Sequence, residues 1–245
     1  MIKLQRGEKP DYLTDEKVKE LTERFKANNK DTVWKHPNIH NALLLSSSSK
    51  CAFCEGRLQV GASYMEIEHF KPKDKYPSEV VHWTNLLPSC KRCNTSKSTH
   101  DVVDEPIINP FDVDPTEHLA QAGCRVYAKT QLGESTKFVL NLNDMLLTRP
   151  RYEVWNYVTD KIEEIYHDFS KKTKLTRHDR NKLSKLLVSC QPDHEYSAFA
   201  STALHESNEY LSVAIMLKEH NQWDEQMEFL HNESLKLVLD KRKKA

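Results

Sequence analysis

Glu68 and His69 stand side by side in EIEHFKPK (66–73), and two C-x-x-C pairs bracket them, Cys51/Cys54 upstream and Cys90/Cys93 downstream. Each pair can offer two thiolates to one ion from a tight knuckle. Four sulfurs close a tetrahedral shell around zinc with no open position, which makes a structural site. A loop-rich stretch has little core of its own, so the metal would supply folding energy to the segment it clamps. The competing reading, a redox dithiol, calls for a single pair in a βαβ setting, and the pattern here offers two pairs without one. Cys124 and Cys190 have no partner at ligand spacing and read as small buried residues.

Between the knuckles the chain also carries Asn85 in HWTNLLPSC and Asn94 and Lys97 in CNTSK. A Glu-His pair, a middle Asn and a final Asn-x-x-Lys inside a four-cysteine frame resemble the zinc-knuckle branch of the HNH endonucleases, the ββα-metal nucleases. The resemblance covers residues 51–98. It implies that Glu68 is an acidic ligand of a catalytic divalent ion and that His69 is the general base. It further implies that Asn85 holds the loop and orients the base, and that Asn94 is the second ligand of that ion. At this last position the family often has His, so Asn94 departs from the lettering; an amide oxygen is still a serviceable hard ligand.

The chemistry agrees with those roles. Phosphodiester hydrolysis needs an activated water and stabilisation of the leaving oxygen. Histidine near its ordinary pKa can accept the water's proton at neutral pH. A carboxylate and an amide oxygen suit Mg²⁺, which keeps its remaining waters. Neighbours on a regular strand point to opposite faces, so Glu68 and His69 can serve one centre only at a strand end, and Pro72 is placed to end it. Lys71, Lys73, Lys91, Arg92 and Lys97 are the candidate phosphate contacts. His36, His40, His82, His100 and His118 are candidates by letter alone and read as structural or solvated.

A narrower resemblance extends the match. KLQRGEKPDYLT, INPFDVDPTEHL and TKFVLNLNDMLLTRPR look like the PtuB-like nucleases of Septu anti-phage systems over about residues 1–155. That likeness implies an ABC-type ATPase partner encoded alongside. In members associated with retrons it implies a reverse transcriptase with its DNA and RNA. Composition and spacing show none of this.

The elements that must position these residues read as follows. A chain of 245 residues is long enough for one large domain or two small ones. Only 5 glycines argue against a glycine-rich phosphate loop and against a turn-rich β fold. No apolar run approaches the roughly 20 residues of a membrane span, and the first residues lack a signal-peptide core, so a cytoplasmic location is expected, in a bacterium as the resemblance implies. Formal net charge is +0, so any nucleic-acid contact must come from local charge.

The expected fold is α+β and mostly helical: a zinc-stabilised ββα-metal core with helices on both sides in sequence. Residues 1–45 form an N-terminal helical segment capped at Thr14, with Val18, Leu21 and Phe25 on one face. Residues 46–125 form the nuclease domain, in which GRLQVG and SYMEIEHF pair across a turn at Gly61, Ala62 and Ser63. A short helix begins in NTSKSTHD. Residues 126–245 open with a strand pair, RVYAK and TKFVLNL around Gly133. They continue as a helical partner-docking region with stripes at Val154/Val158/Ile162/Ile165/Phe169, Leu183/Leu186/Leu187 and Leu211/Ile215/Met216. The stretch KKTKLTRHDRNKLSK (171–185) reads equally as a nucleic-acid or acidic-partner surface and as a solvated helix face.

Three functions fit this reading. The first is a metal-dependent endonuclease with DNA favoured. The second is the same hydrolase acting on RNA or tRNA. The third is a non-catalytic zinc-ribbon module that binds nucleic acid or protein.

Overall fold

The computed structural model describes residues 1–59 and 64–243. They form a mostly helical α+β protein of two compact units. The first comprises Lys3–His118 and Ala128–Leu142, and the second Leu119–Tyr127 and Asn143–Ala245.

In the first unit, Thr14 caps α1 (Asp15–Ala27) by accepting from the Lys17 amide, and Leu21 and Phe25 are buried. Helix α2 (Pro37–Ser46) starts at a proline, where the missing N–H costs nothing. Strand β1 (Met65–His69) pairs antiparallel with β2 (Leu86–Cys90), with Glu68 opposite Leu87 and His69 opposite Leu86. The partner of MEIEH is therefore LLPSC rather than GRLQVG. Of the described residues of the latter, 56–59, Arg57 makes an isolated bridge to Lys50, and the rest of that stretch with the expected turn at Gly61–Ser63 lies outside the described residues. The loop of the first knuckle binds the free edge of β2, where the Ala52 amide donates to the Pro88 carbonyl at 2.9 Å.

Helix α3 (Lys91–Lys97) follows β2 without a loop. Cys90 is its N-cap, with Sγ accepting from the Cys93 amide. The helix thus starts within the second knuckle, earlier than the expected NTSKSTHD. Arg6 ties the N-terminal segment to this region by donating to the carbonyls of Trp83 and Leu86, each at 2.9 Å.

The segment TKFVLNL is helical rather than a strand and belongs mostly to α4 (Gln131–Val139). Its short β-branched and aromatic run is ambiguous by pattern, and the cap decides: Thr130 accepts from the Gly133 amide. Gly133 is needed there because a Cβ would sit 2.1 Å from the His118 carbonyl oxygen. RVYA instead forms β4 (Arg125–Ala128), adjacent to β3 (Leu119–Ala122). Gly123, at φ +57°, supplies the left-handed turn between them.

In the second unit, α5 (Met145–Phe169), α6 (Arg177–Ser189), α7 (Ser197–His205), α8 (Asn208–Glu219) and α9 (Glu225–Leu235) surround one core. Strand β5 (Asp240–Lys241) adds in parallel to β3. Val158, Ile162, Ile165 and Phe169 of α5 and Leu183, Leu186 and Leu187 of α6 are buried in that core, as their spacing predicts. On α8 only Met216 of the expected stripe packs against that core. Leu211 and Ile215 are 52% and 56% exposed, while Tyr210, Val213 and Leu217 are buried. Among the described residues no helix is long and apolar enough to cross a membrane.

Candidate active site and metal centre

The four knuckle thiols converge. Ligand atoms of Cys51, Cys54, Cys90 and Cys93 all lie within 4.8 Å of one another, and none of the four is in a disulfide. Cys54 and Cys90 sulfurs are 3.8 Å apart. A tetrahedral ion with metal–sulfur bonds of about 2.3 Å spaces its sulfurs by roughly this distance, so the cluster fits a four-thiolate metal site.

Glu68 and His69 end β1, as two adjacent polar residues serving one centre require, and both line a cavity of about 770 Å³. The Nε2 of His69 is 2.9 Å from the Val80 carbonyl oxygen. A carbonyl can only accept, so Nε2 carries the proton and Nδ1 keeps its lone pair. The Trp34 and His69 rings meet nearly at right angles, 88°, with centroids 4.7 Å apart. Burial lowers the His69 pKa to about 4, against the favourable Val80 hydrogen bond, so the ring is neutral at pH 7.

Glu68 is 3% exposed, and its Oε1 lies 2.7 Å from Lys97 Nζ. Burial raises its carboxyl to about 7, although Lys97 pulls the other way. Asn85 acts one step back from the imidazole. Its Oδ1 accepts from the Lys71 amide at 2.7 Å, and its Nδ2 donates to the carbonyls of Lys71 and Glu79 at 3.2 and 3.1 Å. Glu79 precedes Val80, so Asn85 fixes the turn whose next carbonyl holds His69.

Asn94 lines the same cavity and donates Nδ2 to Glu66 Oε2 at 2.5 Å, leaving Oδ1 as an acceptor. Glu66 was not singled out from the sequence. Its signal was the i, i+2 spacing, which puts Glu66 and Glu68 on one face of β1. Both carboxylates and the Asn94 amide line the cavity, an all-oxygen donor set of the kind that suits Mg²⁺.

Comparison with curated proteins bears on the family. Over 249 aligned residues the chain is 36% identical to the Septu protein PtuB of Bacillus thuringiensis, covering 98% of this chain and 96% of that protein. The chain belongs to the Septu PtuB family. It is also 34% identical over 160 residues to the Septu protein PtuB of Bacillus mycoides (strain KBAB4), covering 49% of this chain and 54% of that one. No family model matches the chain.

Among the basic residues expected to meet phosphate, one in this PtuB-family chain is buried. Lys97 is 1% exposed, and its ammonium is held between Glu68 and the His69 carbonyl at 2.7 and 3.0 Å. It is a positioning residue, because a buried ammonium with two fixed acceptors is not free to meet a ligand. Arg92 is half-buried and donates to the carbonyls of Leu140 and Asn141. Lys71 is half-exposed, with Glu79 at 3.5 Å, and Lys91 is exposed. Lys73 lines the cavity with its ammonium 5.6 Å from the Trp34 ring centroid.

His36 and His40, set aside in the sequence, also line the cavity. The segment that carries them is distant in sequence, so no local pattern could reveal it. His118 instead bonds Thr130, and His82 bonds Thr84. Cys190 is buried as expected, whereas Cys124 is only half-buried.

Proposed function

We propose that this chain is a metal-dependent endonuclease of the HNH type, the nuclease effector of a Septu anti-phage system that works with an ABC-type ATPase. It hydrolyses phosphodiester bonds, with DNA favoured. The observation that carries the reading is the strand–strand–helix arrangement β1–β2–α3, framed by the four-thiol cluster, with Glu68, His69 and Asn94 opening on one cavity. Membership of the PtuB family supplies the defence setting.

Cys51, Cys54, Cys90 and Cys93 would hold structural zinc and fix the ends of β2 and the start of α3. Glu68 and Asn94, with Glu66 beside them, would hold a divalent ion such as Mg²⁺, which stabilises negative charge on the phosphate and the leaving oxygen. His69 Nδ1 takes the proton of a water aimed at phosphorus. The Val80 carbonyl keeps the imidazole in the tautomer that can accept it, and the imidazolium that forms is stabilised by the same bond. Asn85 holds the turn that carries Val80.

This chemistry does not use a ribose 2′-hydroxyl, so DNA and RNA both satisfy it. A second reading, a non-catalytic zinc-bound module, is favoured by one contact, the Lys97 ammonium on Glu68. One experiment separates them. Wild type and His69→Ala are each co-expressed with the ATPase encoded alongside and given plasmid DNA and total RNA with Mg²⁺. The proposal expects cleavage by wild type alone, with zinc content equal in both. Equal cleavage by both proteins removes His69 from the chemistry, and none by either in the assembled complex favours the binding module.

A further inference from the structure

The cavity of about 770 Å³ is larger than one phosphate and its ion need, and part of its lining is of different chemistry. Glu66, Glu68, His69 and Asn94 belong to the lining. Next to them the segment entering α2 and the residue before β1 add Trp34, His36, His40 and Tyr64 to the lining, with the Trp34 ring against His69. Trp34 is half-buried, and its indole N–H makes no hydrogen bond among the described residues. Tyr64 is 70% exposed although it is a large aromatic side chain. Lys35 and Lys73 lie on the same lining. Rings beside a reacting centre, with ammonium groups next to them, match the alternation of base and phosphate along a nucleic-acid strand.

A base inside a duplex has both faces covered by its neighbours and its edge paired, so it cannot enter a walled cavity. An unpaired base can. We propose that the Trp34 wall is a nucleobase subsite, and that the chain therefore selects unpaired nucleotides next to the scissile bond. Trp34 supplies the stacking ring and an N–H donor. Lys73, already over that ring, sits where the adjoining phosphate would lie. The edge contact of Trp34 with His69 links base seating to the imidazole. This inference rests on the nuclease reading for the words "scissile bond", but the subsite itself can be tested by binding alone.

The test uses the full-length zinc-loaded chain and fluorescein-labelled oligonucleotides of one sequence: single-stranded DNA, single-stranded RNA, blunt duplex DNA, and single strands with one abasic site. Anisotropy titrations are run without added divalent ion, so that no cleavage intervenes. The single strands should bind roughly tenfold or more tightly than the duplex, and one abasic position should remove much of that gain. The DNA and RNA arms show which sugar is accepted. Trp34→Ala should weaken single-strand binding and leave duplex binding unchanged, while Trp34→Phe should restore it.

Equal affinity for strand and duplex overturns the subsite, as does an abasic series with no effect on wild type. The abasic series needs no substitution, so a misfolded variant cannot obscure the result. Trp34-dependent strand binding without cleavage in the assembled complex would retain the subsite and remove the nuclease reading. Cleavage of duplex and strand alike, unchanged in Trp34→Phe and Trp34→Ala, would do the reverse.

Discussion

Lys97 has the same sign as the ion that the proposed chemistry brings to Glu68, yet it is buried beside that carboxylate. Its role follows from burial. A carboxylate taken out of water without a partner would be neutral at pH 7, and burial already lifts Glu68 to about 7. Lys97 opposes that shift and also ties the end of β1 to α3 through the His69 carbonyl. Replacing it with Met should strand a buried carboxyl, raise its pKa further, and cost about 3 kcal/mol, as expected when one partner of a buried pair is removed. A urea midpoint unchanged in Lys97→Met would show that the pair contributes nothing to the fold. The same variant should lose activity while keeping zinc, since the knuckle sulfurs are untouched. Zinc lost together with activity would point to collapse of the frame instead.

At the scale of elements, the knuckle helix and the face of α8 make opposite demands. Cys90 is at once a sulfur ligand candidate, the last residue of β2 and the N-cap of α3. Cys90→Ser should therefore release the metal and unfold the β2–α3 junction, whereas His69→Ala should leave both intact. Metal content and hydrogen exchange over residues 86–97 read the difference, and equal protection in the two variants would remove the structural role. On α8, Leu211→Glu should leave stability within about 0.5 kcal/mol, while Val213→Glu buries an unpaired charge and should unfold the unit. A matching Tm for the two would mean that the assigned face is wrong.

These cases also show what the sequence could disclose. The stripes of α5 and α6 were readable because a long helix repeats its pattern many times. The stripe of α8 was misread because that helix carries apolar residues on both faces. TKFVLNL was misread as a strand because so short a stretch, with Phe138, Val139, Leu140 and Leu142 as its apolar residues, has no decisive period, and only the Thr130 cap resolved it. Within the site, cysteine spacing announced the metal cluster, and the Glu-His pair at a strand end was anticipated from side-chain alternation. Lys97 was misread as a free surface cation because a letter gives charge and not burial. Trp34, His36 and His40 were invisible because tertiary folding alone brings residues 34–40 against residues 64–99.

For the whole molecule, pH acts differently on the two units. In the first, burial drives two neighbours apart: Glu68 rises to about 7 and His69 falls to about 4. Between about pH 4.5 and 6.5 the raised carboxyl makes the folded state hold more protons than the unfolded chain, and the lowered imidazole makes it hold fewer. The two slopes oppose and largely cancel. In the second unit no such partner offsets His205, which bonds Ser234 at 2.8 Å and lies 5.0 Å from the His231 ring. Burial first, and then His231, lowers its pKa to about 4. A histidine with a depressed folded pKa contributes stability that is present above about 6.5 and lost as pH falls toward 4. Its partial exposure limits the loss to about 2 kcal/mol. Asp179, held down to about 2, acts in a separate window, between about pH 4 and 2. Urea unfolding of wild type and His205→Gln at pH 7 and pH 5 isolates the histidine. The wild type should lose more stability than the variant between the two, and parallel losses would show that His205 is not what the second unit protonates as it opens.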